Sequence, residues 1–236
     1  MSEETVKKLT LLAVGGHVGD MELTAGGVLA THALRGDSIV TLALTAGEKG
    51  APKGRELADY RLQKVREAET FAKMLGGRAI VFPYPDGELP DNDALRFQVC
   101  DIIREVKPDI LITHFKNSMR KDHMATHRIV KDARFFAANP YFERERPPHF
   151  ASRLYFAENW EDAVDFKPYI YMDVTQGYEL WQEAAATHWF TTGSTSFPYL
   201  EYYSHLSRVR GIEARKGRVQ CFSIEEETMR IIKESL

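Results

Sequence analysis

His17, Asp20 and His123 are residues of this sequence whose types suit a divalent metal ion. His17 and Asp20 stand three apart in a glycine turn, and His123 lies far along the chain in a second polar stretch, residues 115–127, FKNSMRKDHMATH. Two ligands from one turn and a third from another strand's loop would leave coordination positions open for water and substrate, as in a catalytic metal site. Imidazole with carboxylate suits zinc first, with nickel, cobalt or iron(II) as alternatives. A plainer account also fits, in which His17 caps the next helix while His123 and His127 decorate a polar loop. Spacing alone leaves both open. Cys100, in a predicted helix, and Cys221, in a predicted strand, read as buried small apolar residues rather than a disulfide or a metal pair.

The elements that would position these groups follow a regular order. Residues 9–14 form an apolar run that stops at Gly15 and Gly16, and residues 21–34 read as a helix. Polar side chains at a strand's carboxyl end, followed by a helix N-terminus, mark the crevice where open parallel sheets bind ligands. Residues 38–45 are a second strand, delivering the flexible loop 46–50 to the same end. In residues 54–76, Leu57, Leu62, Val65, Ala68, Ala72 and Leu75 keep helical spacing. Residues 78–84 are a third strand, closed by the turn Pro85-Asp86-Gly87, and 91–106 a helix with Asp91 as its cap. A fourth strand, 109–114, precedes the second polar stretch; 125–138 is a helix. Beyond it come short strands at 153–157 and 169–174, helices at 176–189 and 198–214, and a late strand at 218–222. The alternation predicts one α/β domain over residues 1–236, a Rossmann-like, three-layer fold with a mostly parallel sheet and helices on both faces.

Bulk properties narrow the function. Thirty-one Lys and Arg against 34 Asp and Glu give a net charge of −3, and the basic residues are dispersed, which argues against nucleic acid or an anionic membrane. The opening MSEETVKK lacks a signal peptide's apolar stretch, and no apolar run approaches the ~18 residues of a membrane span. The expectation is a cytoplasmic protein with a small-molecule substrate. A dinucleotide site is excluded because the first turn reads Gly15-Gly16-His17-Val18-Gly19 and not G-x-G-x-x-G.

The chain resembles the PIG-L/LmbE superfamily of zinc-dependent N-acetylglucosaminyl deacetylases over most of its length. The family's first signature, His-Pro-Asp-Asp-x-Glu, stands here as His17-Val18-Gly19-Asp20-Met21-Glu22, with Gly26-Gly27 following. The second, His-Pro-Asp-His, stands as Arg120-Lys121-Asp122-His123. Further agreement lies in residues 45–50, in 65–69 before Leu75-Gly76, and in Pro85-Asp86-Gly87. The resemblance implies a divalent metal, zinc or another transition ion, on His17, Asp20 and His123, hydrolysis of an N-acylated sugar or related amide, and a homo-oligomer.

Two departures alter what the resemblance implies. The position of the general base is Gly19, and glycine abstracts no proton; the first His of the second signature is Arg120, which holds an anion but transfers no proton near neutral pH. Three readings follow. In the first, a metal hydrolase recruits another carboxylate, Glu22, Glu48 or Asp122; Asp122 serves equally well as a partner orienting a ligand imidazole, and Glu22 as a helix N-terminal charge. In the second, the same metal supports hydration of an unsaturated oxo-carboxylic acid, as in superfamily-like hydratases that also lack the base. There Glu48 would carry the proton and Arg66 and Arg120 would hold the anion, unless Arg66 only pairs with Glu69 on its helix. In the third, the protein binds metal or sugar without turnover.

The substrate side is expected in the C-terminal part. His188 and Trp189 fall in the family's Ala-His-x-Ser-Gln region, and Phe197, Tyr199, Tyr202 and Tyr203 in its tyrosine-rich helix, where they either stack on a substrate or pack the core or an oligomer face. His114 and His127 are candidate second-layer or substrate contacts.

Overall fold

Strand β1, Thr10–His17, lies inside the sheet with a strand on either side, because both of its faces are apolar. Leu11 and Ala13 point into one core with Met21, Leu29, Phe71 and Trp181, whereas Leu12 and Val14 point into the other with Val99, Leu111 and Ile129. Each of these leucines is fully buried, which stabilises the fold by roughly 1.5–3 kcal/mol per side chain. The structure, a computed structural model, describes residues 7–226. The segment 1–6, on which most of the leader expectation falls, lies outside the described residues.

The chain continues through α1 (Asp20–Thr24), α2 (Gly26–Leu34), β2 (Ser38–Thr45), α3 (Leu57–Met74), β3 (Arg78–Tyr84), α4 (Asp93–Val106) and β4 (Ile110–Thr113). It closes with α5 (Lys121–Ala138), β5 (Arg153–Ala157), β6 (Ile170–Asp173), α6 (Tyr178–Ala185), α7 (Trp189–Gly193), α8 (Tyr199–Glu213) and β7 (Val219–Ser223). The seven-stranded sheet has the order β3-β2-β1-β4-β5-β7-β6. The first five strands are parallel, with His17 opposite Thr45 and Val14 opposite Thr113, and β7 runs antiparallel to both β5 and β6. Helices α4 and α5 cover one face; α1, α2, α3, α6 and α8 supply buried side chains to the other. The expected mostly parallel α/β fold is what the chain adopts.

Four local expectations are corrected. Strand β1 runs through Gly15 and Gly16 to His17, paired with Ala43 and Thr45 of β2, and the glycine at 16 leaves room for His123 Cδ2, which a Cβ there would meet at 3.3 Å. The helix expected over 21–34 is broken at Ala25 (φ −123, ψ −3), where distant side chains take the backbone groups: Trp181 Nε1 donates to Glu22 O, and Gln220 bonds both Leu23 O and Val28 N. Asn92, not Asp91, caps α4, accepting from Leu95 N at 3.0 Å, while Asp91 pairs with Arg96 and Arg128. The buried stripe of α3 is Tyr60, Lys64, Ala68, Phe71 and Ala72; Leu57 and Leu62 are exposed.

Candidate metal and substrate site

Five parallel strands deliver their carboxyl ends to one place. His17 ends β1, Glu48 and Asp86 follow β2 and β3, His114 follows β4, and Asn159 to Asp162 follow β5. His123 belongs to the first turn of α5 and not to a loop, so a helix fixes its direction. His17 Nδ1, Asp20 Oδ2 and His123 Nε2 converge: His17 Nδ1 lies 3.3 Å from Asp20 Oδ2 and 3.3 Å from His123 Nε2, which is 3.4 Å from Asp20 Oδ2. A tetrahedral ion with bonds of about 2.0–2.1 Å needs its ligand atoms about 3.3–3.4 Å apart. The donor set therefore fits a zinc-like ion in both chemistry and spacing.

The surrounding hydrogen bonds present the correct nitrogens. His123 Nδ1 donates to Asp162 Oδ1 at 2.9 Å, which leaves the Nε2 lone pair for the centre. His17 Nε2 lies 3.1 Å from Asp86 Oδ1 and 3.4 Å from Asp122 Oδ2, which leaves its Nδ1 likewise. Asp162 Oδ2 accepts from His114 Nδ1 at 2.9 Å, and the His114 ring stacks on His123 with centroids 3.8 Å apart. Burial by itself would lower His17 and His123, but neighbouring carboxylates prevail: Asp20 foremost raises His17 well above the usual range, and Asp20 and Asp162 hold His123 up at about 9. Burial would raise Asp20, yet the histidines keep it well below the carboxylate range. The cluster is built around positive charge.

A cavity of about 440 Å³ opens above the three donors and is lined by Gly19, Lys49, Tyr60, Lys64, Asp86, Arg120, Trp160, Glu161, Phe190 and Tyr199 among others. Of the residues given catalytic roles from sequence, Arg120 borders it, its Nε donating to Glu161 Oε1 at 2.9 Å. Asp122 stands behind His17, accepting from Gly87 N, with its Oδ1 buried and without a hydrogen-bond partner among the described residues. Glu48 also stands behind the wall, where its Oε1 accepts from Asp86 N and its Oε2 lies 3.5 Å from Arg61 Nη1. Asp86 and Glu161 are thus the carboxylates that border the cavity beside Asp20.

Arg66, Glu22, His127 and His188, candidates from the sequence, do not line this cavity. Arg66 lines a separate cavity of about 420 Å³ with Arg55, Asp59 and Gln63, one helical face away. Glu22 is buried; its Oε2 accepts from Gly19 N at 3.0 Å, and burial pushes it up to about 7. His127 donates from Nδ1 to His114 O, and burial draws it down to about 4. His188 is fully buried behind Phe190, with neither ring nitrogen hydrogen-bonded among the described residues (Nδ1 lies 3.9 Å from Glu67 Oε2), and burial draws it down to about 3. Reading by motif missed Lys64, Glu161, Asp162 and Phe190, and named Asp86 only as part of the turn Pro85-Asp86-Gly87. Lys64 alone left a trace, a lysine at helical spacing between Tyr60 and Ala68.

With this geometry in place, the sequence profile of the PIG-L family, described as GlcNAc-PI de-N-acetylase, matches residues 12–134. The chain belongs to the PIG-L family. This PIG-L member is 27% identical over 220 residues to a 4-oxalmesaconate hydratase of Pseudomonas putida, with 87% of this chain and 81% of that one covered. It is 28% identical to a 1D-myo-inositol 2-acetamido-2-deoxy-alpha-D-glucopyranoside deacetylase of Catenulispora acidiphila, over 57% of this chain and 51% of the relative, so the chain spans about half of that protein. Among solved structures, the 4-carboxy-2-hydroxymuconate hydratase GalB of Pseudomonas putida shares the fold with a TM-score of 0.85 at 20% identity, covering 98% of this chain and 100% of GalB. Among the described residues no helix is long and apolar enough to cross a membrane.

Proposed function

We propose that this PIG-L member is a metal-dependent enzyme that adds water to an unsaturated bond of a small oxo-carboxylic acid. One observation carries the reading. Gly19 sits at φ +106, and a Cβ there would meet Phe190 Cζ at 2.3 Å and Cε1 at 2.5 Å. The place from which a side chain would take a proton from water in the deacetylases is filled by a hydrocarbon ring. Hydrolysis of an amide needs a base for the water and a proton donor for the leaving amine, and neither Gly19 nor Arg120 supplies one. Hydration needs neither a leaving group nor its protonation: the hydroxyl goes to one alkene carbon, a proton goes to the other, and nothing departs.

His17, Asp20 and His123 would hold the ion, with zinc the first choice for two imidazoles and a carboxylate. When bound, it supplies Lewis-acid polarisation of a substrate oxygen. Glu161 Oε2 stands on the cavity wall 3.9 Å from His123 Nε2, placed to exchange a proton with an occupant, and Arg120 fixes the other oxygen of that carboxylate. Asp162 and Asp122 keep the histidine rings in place. The hydratase relative, similar over 87% of this chain, supports the reading.

Hydrolysis of an N-acylated amino sugar is the second reading, supported by the family match and the deacetylase relative. It requires Glu161 or Asp86 as the base. The deciding experiment incubates zinc-loaded protein with a panel of conjugated oxo-carboxylic acids and, in parallel, N-acetylated amino sugars. Loss of the conjugated ultraviolet absorbance with a mass gain of one water supports hydration; release of acetate and free amine, with no hydration, would give the site to the second reading.

A further inference from the structure

The cations on the cavity wall are not equivalent. Lys49 Nζ is bonded to Glu88 Oε1 at 2.7 Å, and Arg120 Nε to Glu161 Oε1 at 2.9 Å. Lys64, only 4% exposed, has no ion pair among the described residues. Its Nζ donates to Val18 O at 2.6 Å and lies 3.9 Å from the centroid of the Phe190 ring. An ammonium carries three N–H donors; the carbonyl takes one and the ring face attracts another, so one is left for a cavity occupant. A charge removed from water with so few partners is costly until a group of opposite charge meets it.

We propose that Lys64, clamped beneath Phe190, is a carboxylate-binding residue of the cavity, and that Phe190 determines specificity by making the corner beside Gly19 an anion site in place of a base site. The placement supports both halves. The Cβ that Gly19 lacks would stand 3.6 Å from Lys64 Nζ, so ring and ammonium together occupy the volume of a side chain at position 19. Gly47 packs on the same lysine, a Cβ there being 3.7 Å from its Cε. Val18, which anchors the ammonium, lies between His17 and Gly19 in the chain, so an anion on Lys64 leaves the rest of the molecule beside the metal donors. A sugar hydroxyl would accept the free hydrogen bond but bring no charge of its own. Glu22, Glu67, Asp20 and Asp86 surround the lysine beyond contact distance and oppose the effect of burial, which draws its ammonium below the usual range.

The inference deepens the hydratase reading by making the substrate an anion with one carboxylate on Lys64, and it rests on that reading for which end reacts. The test is calorimetric titration with fumarate and its neutral isostere fumaramide, on zinc-loaded protein and on chelator-treated protein. The unaltered protein is expected to prefer fumarate in both forms. Lys64→Met is expected to weaken fumarate by about 10- to 100-fold, the value of a charge-assisted hydrogen bond, to leave fumaramide unchanged and not to lower the unfolding temperature. Phe190→Ala, which frees the ammonium while keeping its charge, is expected to weaken fumarate by a smaller factor. Unchanged fumarate affinity in Lys64→Met, equal affinity for fumaramide, or no fumarate binding by the unaltered protein would each overturn the inference. Because chelator-treated protein carries the Lys64 readout, a hydratase assay that fails leaves that result standing on its own.

Discussion

Asp162 holds His123 by its ring: the carboxylate Oδ1 accepts from Nδ1 at 2.9 Å, and both side chains are buried. The bond fixes the tautomer that offers Nε2 to an ion, and through its second oxygen the same aspartate accepts from His114 Nδ1, whose Nε2 then accepts from Gly16 N. Asp162→Asn keeps the shape and removes the charge. It is expected to weaken zinc binding by about 10- to 100-fold, as losses of such outer partners do, read by competition with a chromophoric chelator. Unchanged affinity would mean that the ring needs no carboxylate to orient it.

Metal removal should register as lost stability, since an ion that binds the folded chain alone stabilises it by mass action. At free zinc a hundredfold above Kd the stabilisation is about 2.7 kcal/mol, or roughly 5–11 °C in Tm for a chain of this size. Chelation should remove that increment from the unaltered protein. Asp20→Ala and His123→Ala should show no zinc increment and no stoichiometric metal by plasma mass spectrometry. A zinc increment surviving in either variant would place the ion elsewhere.

The overlap between position 19 and Phe190 predicts that restoring an aspartate fails alone. Gly19→Asp puts a residue with a Cβ at φ +106 and that Cβ 2.3 Å from the ring, and each effect costs about 1–3 kcal/mol. Thermal unfolding by circular dichroism should show a lowered Tm for Gly19→Asp, and the double variant with Phe190→Ala should lose less than the sum of the two single losses. If the two changes prove additive, the two positions do not compete for one space.

His188 predicts an acid limb to the stability curve. Its folded-state pKa is drawn down to about 3 by burial, against about 6.5 when unfolded, so the unfolded chain takes up the proton first. The stability this contributes is complete above about pH 6.5 and declines as pH falls toward about 3, by a few kcal/mol in all. His188→Leu, which also removes two unpartnered buried nitrogens, should match or exceed the unaltered protein at pH 7 and lose less on acidification. Urea midpoints at pH 7 and pH 5 measure this, and parallel curves for the two proteins would refute it.

Much of this molecule is local and therefore legible in its sequence. The run from Leu9 to Val14 is apolar on both faces, which makes it a central strand wherever it folds, and glycines next to His17 mark the strand's carboxyl end as a site. Strand and helix alternation carried the α/β architecture, and residue type alone was enough to nominate His17, Asp20 and His123. What the sequence could not carry depends on residues far apart in the chain. The break at Ala25 exists because Trp181 and Gln220 take its free backbone groups, a choice no local propensity encodes. Arg66 and Lys64 differ by two positions on one helix, and only the docking of α3 decides that the second faces the cavity and the first a different one. Asp162 reaches His123 across 39 residues, and Phe190 reaches Gly19 across 171. The sequence determined which groups could do chemistry; packing decided which of them meet, because distance in a folded chain is set by the core and not by the order of residues.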